Sequence, residues 1–165
     1  MDKDRRAQPL VQTPFNELNA DISPDGLWLA YQSDESGQNE IFVRPFPNVG
    51  GGRWQISTGG GVQPHWARNG QELFYLASTG TLMSARIEHG PTFAAATPTK
   101  LFEGRGRYYL GGGANIGRTY DVSPDGRRFV MIKTGGGTEG TAAPASITVV
   151  LNWFEELKRL VPPKR

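Results

Sequence analysis

The chain has 165 residues, of which 22 are glycine and 12 proline, while hydrophobic residues make up 37% and aromatics 10%. So many helix-disfavouring residues exclude an all-helical bundle, the apolar share excludes a disordered polymer, and a turn-rich β protein with its own core remains. The net charge of +2 belongs to the ends, because residues 1–6 and 158–165 carry +5 and residues 7–157 carry −3; the body has no basic face of the kind nucleic-acid binding needs.

In chain order, the segment 7–13 contains Pro9-Leu10-Val11-Gln12-Thr13, which reads as a strand without a unit of its own. A first unit, 15–58, holds Ala20-Asp21-Ile22-Ser23-Pro24-Asp25-Gly26, an alternating run Leu27–Ser33, and strands at Glu40–Phe46 and Arg53–Ser57. A second, 61–104, repeats the plan with Pro64-His65-Trp66-Ala67-Arg68-Asn69-Gly70, Glu72–Ala77, Thr81–Ile87 and Lys100–Glu103. A third, 117–152, has Tyr120-Asp121-Val122-Ser123-Pro124-Asp125-Gly126, Arg128–Lys133 and the β-branched run Ser146–Asn152. Residues 153–161 then place Trp153, Phe154, Leu157, Leu160 and Val161 on one helical stripe. Asn152 and Glu155 form a capping-box pattern in front of this short C-terminal helix, and Pro162-Pro163 ends it.

The repeated motif has a local cause. Ser-Pro-Asp-Gly suits a type I turn, with proline second and glycine fourth, and the glycine can take a left-handed bulge that returns the chain as a hairpin. Each motif is therefore expected to join two antiparallel strands. Four strands in about 40–45 residues is the size of a propeller blade. The third unit lacks a fourth strand, and Pro9–Thr13 is a fourth strand without a blade.

The motif followed by Trp28-Leu29-Ala30-Tyr31-Gln32-Ser33 and Glu40-Ile41-Phe42-Val43-Arg44-Pro45-Phe46 resembles the TolB-like, WD-repeat-like β-propeller repeats of bacteria. Gln71-Glu72-Leu73-Phe74-Tyr75-Leu76 and Asn152-Trp153-Phe154-Glu155-Glu156-Leu157 are similar to the closing blades of propellers attached to bacterial serine/threonine kinases. The resemblance spans residues 7–161 and implies an all-β fold of four-stranded antiparallel blades. It implies recognition of proteins, peptides or small ligands, and it carries no activity over. Propellers close with about 4–8 blades, so the three units are expected to form half of a six-bladed ring, completed by a second copy around a two-fold axis. In that homodimer Pro9, Leu10, Val11, Gln12 and Thr13 would add a strand beside Ile147, Val149 and Leu151 of the partner copy.

The first strand of a blade ordinarily lines the channel, so Asp21, His65 and Asp121, at equivalent repeat positions, are the candidate ligand-binding residues, with Glu17, Asn19 and Gln63 adding polar groups. Asp and His ligate metals, yet near turns Asp more often bonds neighbouring backbone; no metal or cofactor is expected. Trp28 and Trp54 offer stacking surfaces, and Trp66 shares its position with Ile22 and Val122, which suits packing between blades. The glycine triplets Gly50–Gly52, Gly59–Gly61, Gly111–Gly113 and Gly135–Gly137 read as flexible loops. With no cysteine and only His65 and His89 as histidines, thiolate chemistry is excluded and a Ser-His-Asp hydrolase, without a G-x-S-x-G elbow, has little support. No apolar run approaches the roughly 20 residues of a membrane span, and the charged start lacks a signal stretch, so the chain as written would remain in the cytoplasm. The reading is a non-catalytic binding module, with a metal-assisted hydrolase or lactonase using the channel Asp and His residues as the alternative.

Overall fold

Strands of alternating apolar residues are assembled into three antiparallel sheets in a computed structural model that describes residues 8–88, 92–103, 117–133 and 146–150. The first sheet is a meander, β1 (Glu17–Ile22), β2 (Trp28–Ser33), β3 (Glu40–Pro45) and β4 (Trp54–Gln55), in sequence order. The second runs β5 (Val62–Trp66), β6 (Glu72–Leu76), β7 (Leu82–Glu88) and β8 (Ala94–Ala95), with β9 (Thr99–Phe102) also paired to β7. The third consists of β10 (Tyr120–Val122), β11 (Phe129–Lys133) and β12 (Ser146–Val150). Val130 pairs with Val149 and Ile132 with Ile147.

The three motif turns have the expected form. Gly26, Gly70 and Gly126 adopt φ of +73°, +70° and +70°, a left-handed backbone that glycine enters without penalty. In the first, the Gly26 amide donates to Ser23 O at 2.8 Å, and the Ser23 amide closes the hairpin onto Trp28 O at 2.8 Å. Ser23 Oγ donates to Asp25 and accepts from the Trp28 amide, while Asp25 accepts from the Leu27 amide. The third turn repeats these bonds with Ser123, Asp125, Arg127 and Arg128. In the middle turn, Ala67 occupies the serine position, and Asn69 retains the carboxylate's task by accepting from the Gln71 amide at 2.9 Å.

Period-two alternation explains how the sheets stack. In β6, Leu73 and Tyr75 join Ala30, Ile41 and Val43 of the first sheet in one buried cluster. Phe74 and Leu76, on the opposite face, join Tyr120, Phe129 and Met131 of the third. Sheet two is thus buried on both faces, and each such large side chain contributes about 1.5–3 kcal/mol by leaving water. Trp66 lies in the cluster between sheets one and two at 3% exposure, as its repeat position led us to expect. Trp28, Trp54 and Phe93 meet there with ring centroids 4.9–5.7 Å apart, so Trp28 and Trp54 act as packing groups.

In the single chain Pro9–Thr13, expected as a strand on a second copy, has no strand partner. Val11 packs on the far face of sheet one, against Leu29, Tyr31 and Phe42, and Asn16 ties the segment to the Asp34 carboxylate. Two other expectations need correction. The fourth strand of the first unit is shorter than Arg53–Ser57, because a side chain takes over the pairing. The Ile56 amide still donates to Ile41 O at 2.8 Å, but the Ile41 amide donates to Ser57 Oγ at 2.8 Å. Gly59–Gly61 is not a flexible loop. The Glu40 carboxylate, 2% exposed, accepts from the Gly59 and Gly60 amides at 2.9 and 2.8 Å, from Gln38 Nε2 and from Ser57 Oγ. A buried carboxylate is tolerable only when so fully bonded. The helix at 153–161, Leu151, and the triplets Gly111–Gly113 and Gly135–Gly137 lie outside the described residues.

This anchor makes a graded prediction. Glu40→Gln removes the charge that four donors serve and should lower unfolding stability by about 2 kcal/mol. A Cβ on Gly61 would lie 2.9 Å from Ile41 Cγ1 and also meet Ser57, so Gly61→Ala should cost about 1–3 kcal/mol by overpacking. A Cβ on Gly59 meets nothing within 4 Å, although φ is +87°, so Gly59→Ala should cost only about 1 kcal/mol. Urea denaturation of the three variants measures the order, and Gly59→Ala proving the most damaging would refute the anchor.

Candidate functional site

The inner strands β1, β5 and β10 each begin a sheet, and irregular backbone brings them together. The pairing register of β1 slips between Leu18 and Asp21, and that of β5 between Val62 and His65. At these slips Asn19 and Gln63, which share a repeat position, have φ of +52° and +56°. A left-handed non-glycine residue costs on the order of 1 kcal/mol or more and persists only where its surroundings fix it.

Side-chain amides fix it here. Gln32 Oε1 accepts from Asn19 Nδ2 at 2.8 Å and from the Gln63 amide at 3.0 Å. Gln63 Oε1 in turn accepts from the Thr119 amide at 2.8 Å and Thr119 Oγ1 at 2.9 Å. Tyr120 Oη donates to Gln63 O at 2.9 Å. Burial pushes the Tyr120 hydroxyl pKa well above its ordinary value, which keeps the proton available for that bond. Gln32, Gln63 and Thr119 therefore bolt three sheets together, and Asn19 and Gln63 spend their polar groups on that joint. Glu17, at the start of β1, accepts from Thr13 Oγ1.

One layer outward, the three equivalent residues Asp21, His65 and Asp121 meet. His65 Nδ1 is 2.9 Å from Asp21 Oδ2, and His65 Nε2 is 3.3 Å from Asp121 Oδ1. Asp21 Oδ2 also accepts from the Trp66 amide at 2.9 Å, and Asp21 O accepts from Trp66 Nε1 at 3.2 Å. Asp121 Oδ1 accepts from the Val122 amide at 2.8 Å. Both carboxylates thus bond backbone beside the turns while bridging to the imidazole between them. Among the described residues, no three Asp, Glu or His side chains form a group able to hold a metal ion.

Burial pushes the Asp21 carboxyl pKa up, but the bond to His65, the Trp66 amide and the His65 and Arg118 charges outweigh it and hold the group below its ordinary value. Arg118 was not singled out in the sequence. Its Nη1 lies 2.7 Å from His65 Nδ1 and 3.7 Å from Asp21 Oδ2. Its repeat equivalents are Leu18 and Val62, so a cation in place of two apolar residues was the available signal. Arg68 is the second such departure, standing where the other units have Pro24 and Pro124.

These residues line an open cleft of about 450 Å³ bounded by Asp21, His65 and Asp121, then Ile22, Trp66 and Val122, then Pro24, Arg68 and Pro124. Each tier consists of one repeat position taken three times. The tiers approach each other because the strands they come from lie side by side at the inner edges of successive sheets.

No family model matches the chain, and no curated protein matches it. Among solved structures it is similar to an oligogalacturonate lyase from Vibrio parahaemolyticus, with 16% identity, a TM-score of 0.56, and coverage of 76% of this chain and 32% of that one. A putative TolB from Agrobacterium tumefaciens aligns at 16% identity and a TM-score of 0.46, over 83% of this chain and 44% of that one. The chain thus spans a third to under half the length of these proteins. Consecutive antiparallel meanders with their first strands gathered at one cleft, together with the first of these likenesses, define a β-propeller fold.

The depressed Asp21 pKa sets the sign of a pH effect. A carboxyl whose folded pKa is below its unfolded pKa stabilises the fold above the unfolded value and loses that contribution as pH falls through the folded one. Stability should therefore decline in acid below the ordinary carboxylate value of 3.8. Asp21→Asn should flatten that decline while lowering stability near neutral pH. Thermal melts from pH 2 to 7 measure it, and parallel acid limbs in the two proteins would contradict the assignment.

Proposed function

We propose that the chain is a non-catalytic β-propeller binding module of three blades, one per sheet, which closes into a six-bladed ring with a second copy and presents the Asp21–His65–Asp121 cleft at the channel. The observation that carries this reading is the convergence of three repeat-equivalent residue tiers on a single cleft. A rigid scaffold with variable side chains at its inner edge suits recognition.

Ring closure is supported by the sheet faces at the two ends of the stack. Val130 and Ile132 alternate with the buried Phe129 and Met131, and both are 41% exposed on the face turned away from sheet two. At the other end, Leu29, Tyr31 and Phe42 are buried under groups that include Val11 of the N-terminal segment, Phe46, Val49 and two arginines stacked on the rings, and release of that segment on strand exchange would uncover part of this face to the partner copy. An apolar sheet face and an open edge strand favour pairing with another copy. In the closed ring, Pro9–Thr13 leaves one copy to pair beside β12 of the other, completing its third blade.

Light scattering at micromolar concentration should give twice the chain mass of 18.1 kDa. Val130→Lys with Ile132→Lys should yield a folded chain of single mass, because the charges cannot be buried unpaired. A wild-type chain of single mass with intact β signal would sink ring closure.

A further inference from the structure

The cleft's unused hydrogen-bond donors are on arginines. The Asp21 carboxylate already serves His65, the Trp66 amide and the nearby Arg118, and Asp121 Oδ1 serves His65 and the Val122 amide. Arg68 lines the same cleft, is exposed, and has no hydrogen-bond or ion-pair partner among the described residues. A guanidinium offers five N–H donors and accepts nothing. The contacts of Arg118 engage one of its nitrogens, Nη1.

The position of that nitrogen is a conflict. His65 Nδ1 lies 2.9 Å from the Asp21 carboxylate and 2.7 Å from Arg118 Nη1. If Nδ1 carries its proton, it bonds Asp21 and faces an N–H of Arg118. If it does not, it accepts from Arg118 and faces the carboxylate lone pairs. The nitrogen satisfies one neighbour only by opposing the other, and an anion that drew Arg118 away would resolve the conflict in favour of the His65–Asp21 bond.

The geometry points to this cleft as a binding site for a small organic carboxylate with an apolar body, held by the paired N–H groups of Arg68 on the cleft lining, with Arg118, which borders the cleft through its contacts with His65 and Asp21, as a second donor. The body of the ligand lies against Ile22, Val122, Pro24 and Pro124, of which Ile22 is 47% exposed. His65 acts as a positioning residue: with the ligand bound, its Nδ1 donates to Asp21, and Arg118 is released outward. The inference rests on the binding-module reading and adds the class of ligand.

The test is a titration of the full chain with hexanoate, followed by NMR of the imidazole nitrogens, against hexanol, hexylamine and inorganic phosphate. His65→Gln assigns the signals, since His89 is the other histidine. Saturable hexanoate binding with a shift of His65 Nδ1, weakened about ten-fold or more by Arg68→Ala, is the expected result. Arg68 is exposed, so the variant should keep its fold, and Arg118→Lys should retain charge but weaken binding by losing the guanidinium donors. Equal binding of hexanol and hexanoate, or an affinity untouched by Arg68→Ala, would overturn the carboxylate assignment and leave an apolar recognition cleft. Preference for hexylamine would overturn it in favour of the carboxylates as the recognising groups. Phosphate binding as well as hexanoate would remove the apolar body from the assignment. No response to any probe would overturn both the assignment and the cleft as the site of recognition.

Discussion

A β-sheet with apolar side chains on both faces needs a neighbour on each side, and the rest of the molecule follows from that demand. Leu73 and Tyr75 point one way from β6 while Phe74 and Leu76 point the other, and all four are buried. The same alternation in β2 and β3 sends Ala30, Ile41 and Val43 toward sheet two and Leu29, Tyr31 and Phe42 away from it. Sheets that stack this way cannot terminate without leaving an apolar face. At sheet one the N-terminal segment and the rings' arginine partners cover it. At sheet three Val130 and Ile132 are left exposed.

Apolar stacking is non-directional, so it does not by itself fix the angle between sheets. Polar groups supply the direction at two radii. Near the inner edge, Gln32 reaches from sheet one to the Gln63 amide, and Gln63 reaches from sheet two to Thr119. Farther out, Glu40 gathers Gln38, Ser57, Gly59 and Gly60, fixing the path by which the chain leaves sheet one for sheet two. Such networks are favourable only when every member is satisfied, and a rotation of one sheet against the next would break both at once. The left-handed backbone at Asn19 and Gln63 is the cost of turning amide groups toward the neighbouring sheet.

The turns, the strand order and the face-to-face cores were legible because each has a local signature: glycine after Asn or Asp, and period-two alternation. The bulges were not legible, since neither Asn19 nor Gln63 looks special in a strand and their strain is compensated by Gln32 and Thr119 from other sheets. Gly59–Gly61 misled for a similar reason. Glycines read as freedom in one dimension, but in space Gly60 and Gly61 sit against Ser78, Ser57 and Ile41 with no room for a side chain. Pro9–Thr13 has the composition of a strand, yet a strand requires a partner edge, and within the chain the segment finds a sheet face instead. In the site, aligning the repeats identified Asp21, His65 and Asp121 as companions. Arg118 and Arg68 escaped because that alignment was read for likeness rather than for departures.

Those departures carry the chemistry of the cleft. Three copies of one unit would give three identical side chains per tier, a ring of carboxylates around a narrow opening, which repels itself and selects only for positive charge. His65 between two aspartates replaces the third carboxylate with a ring whose two nitrogens lie 2.9 and 3.3 Å from Asp21 and Asp121, and so removes part of that repulsion. Arg68, on the lining, and Arg118, against His65 and Asp21, add positive charge beside the two carboxylates, which the repeat alone would not supply. The repeat thus builds the walls at equal spacing, while the few residues that break it determine what the space between them can hold.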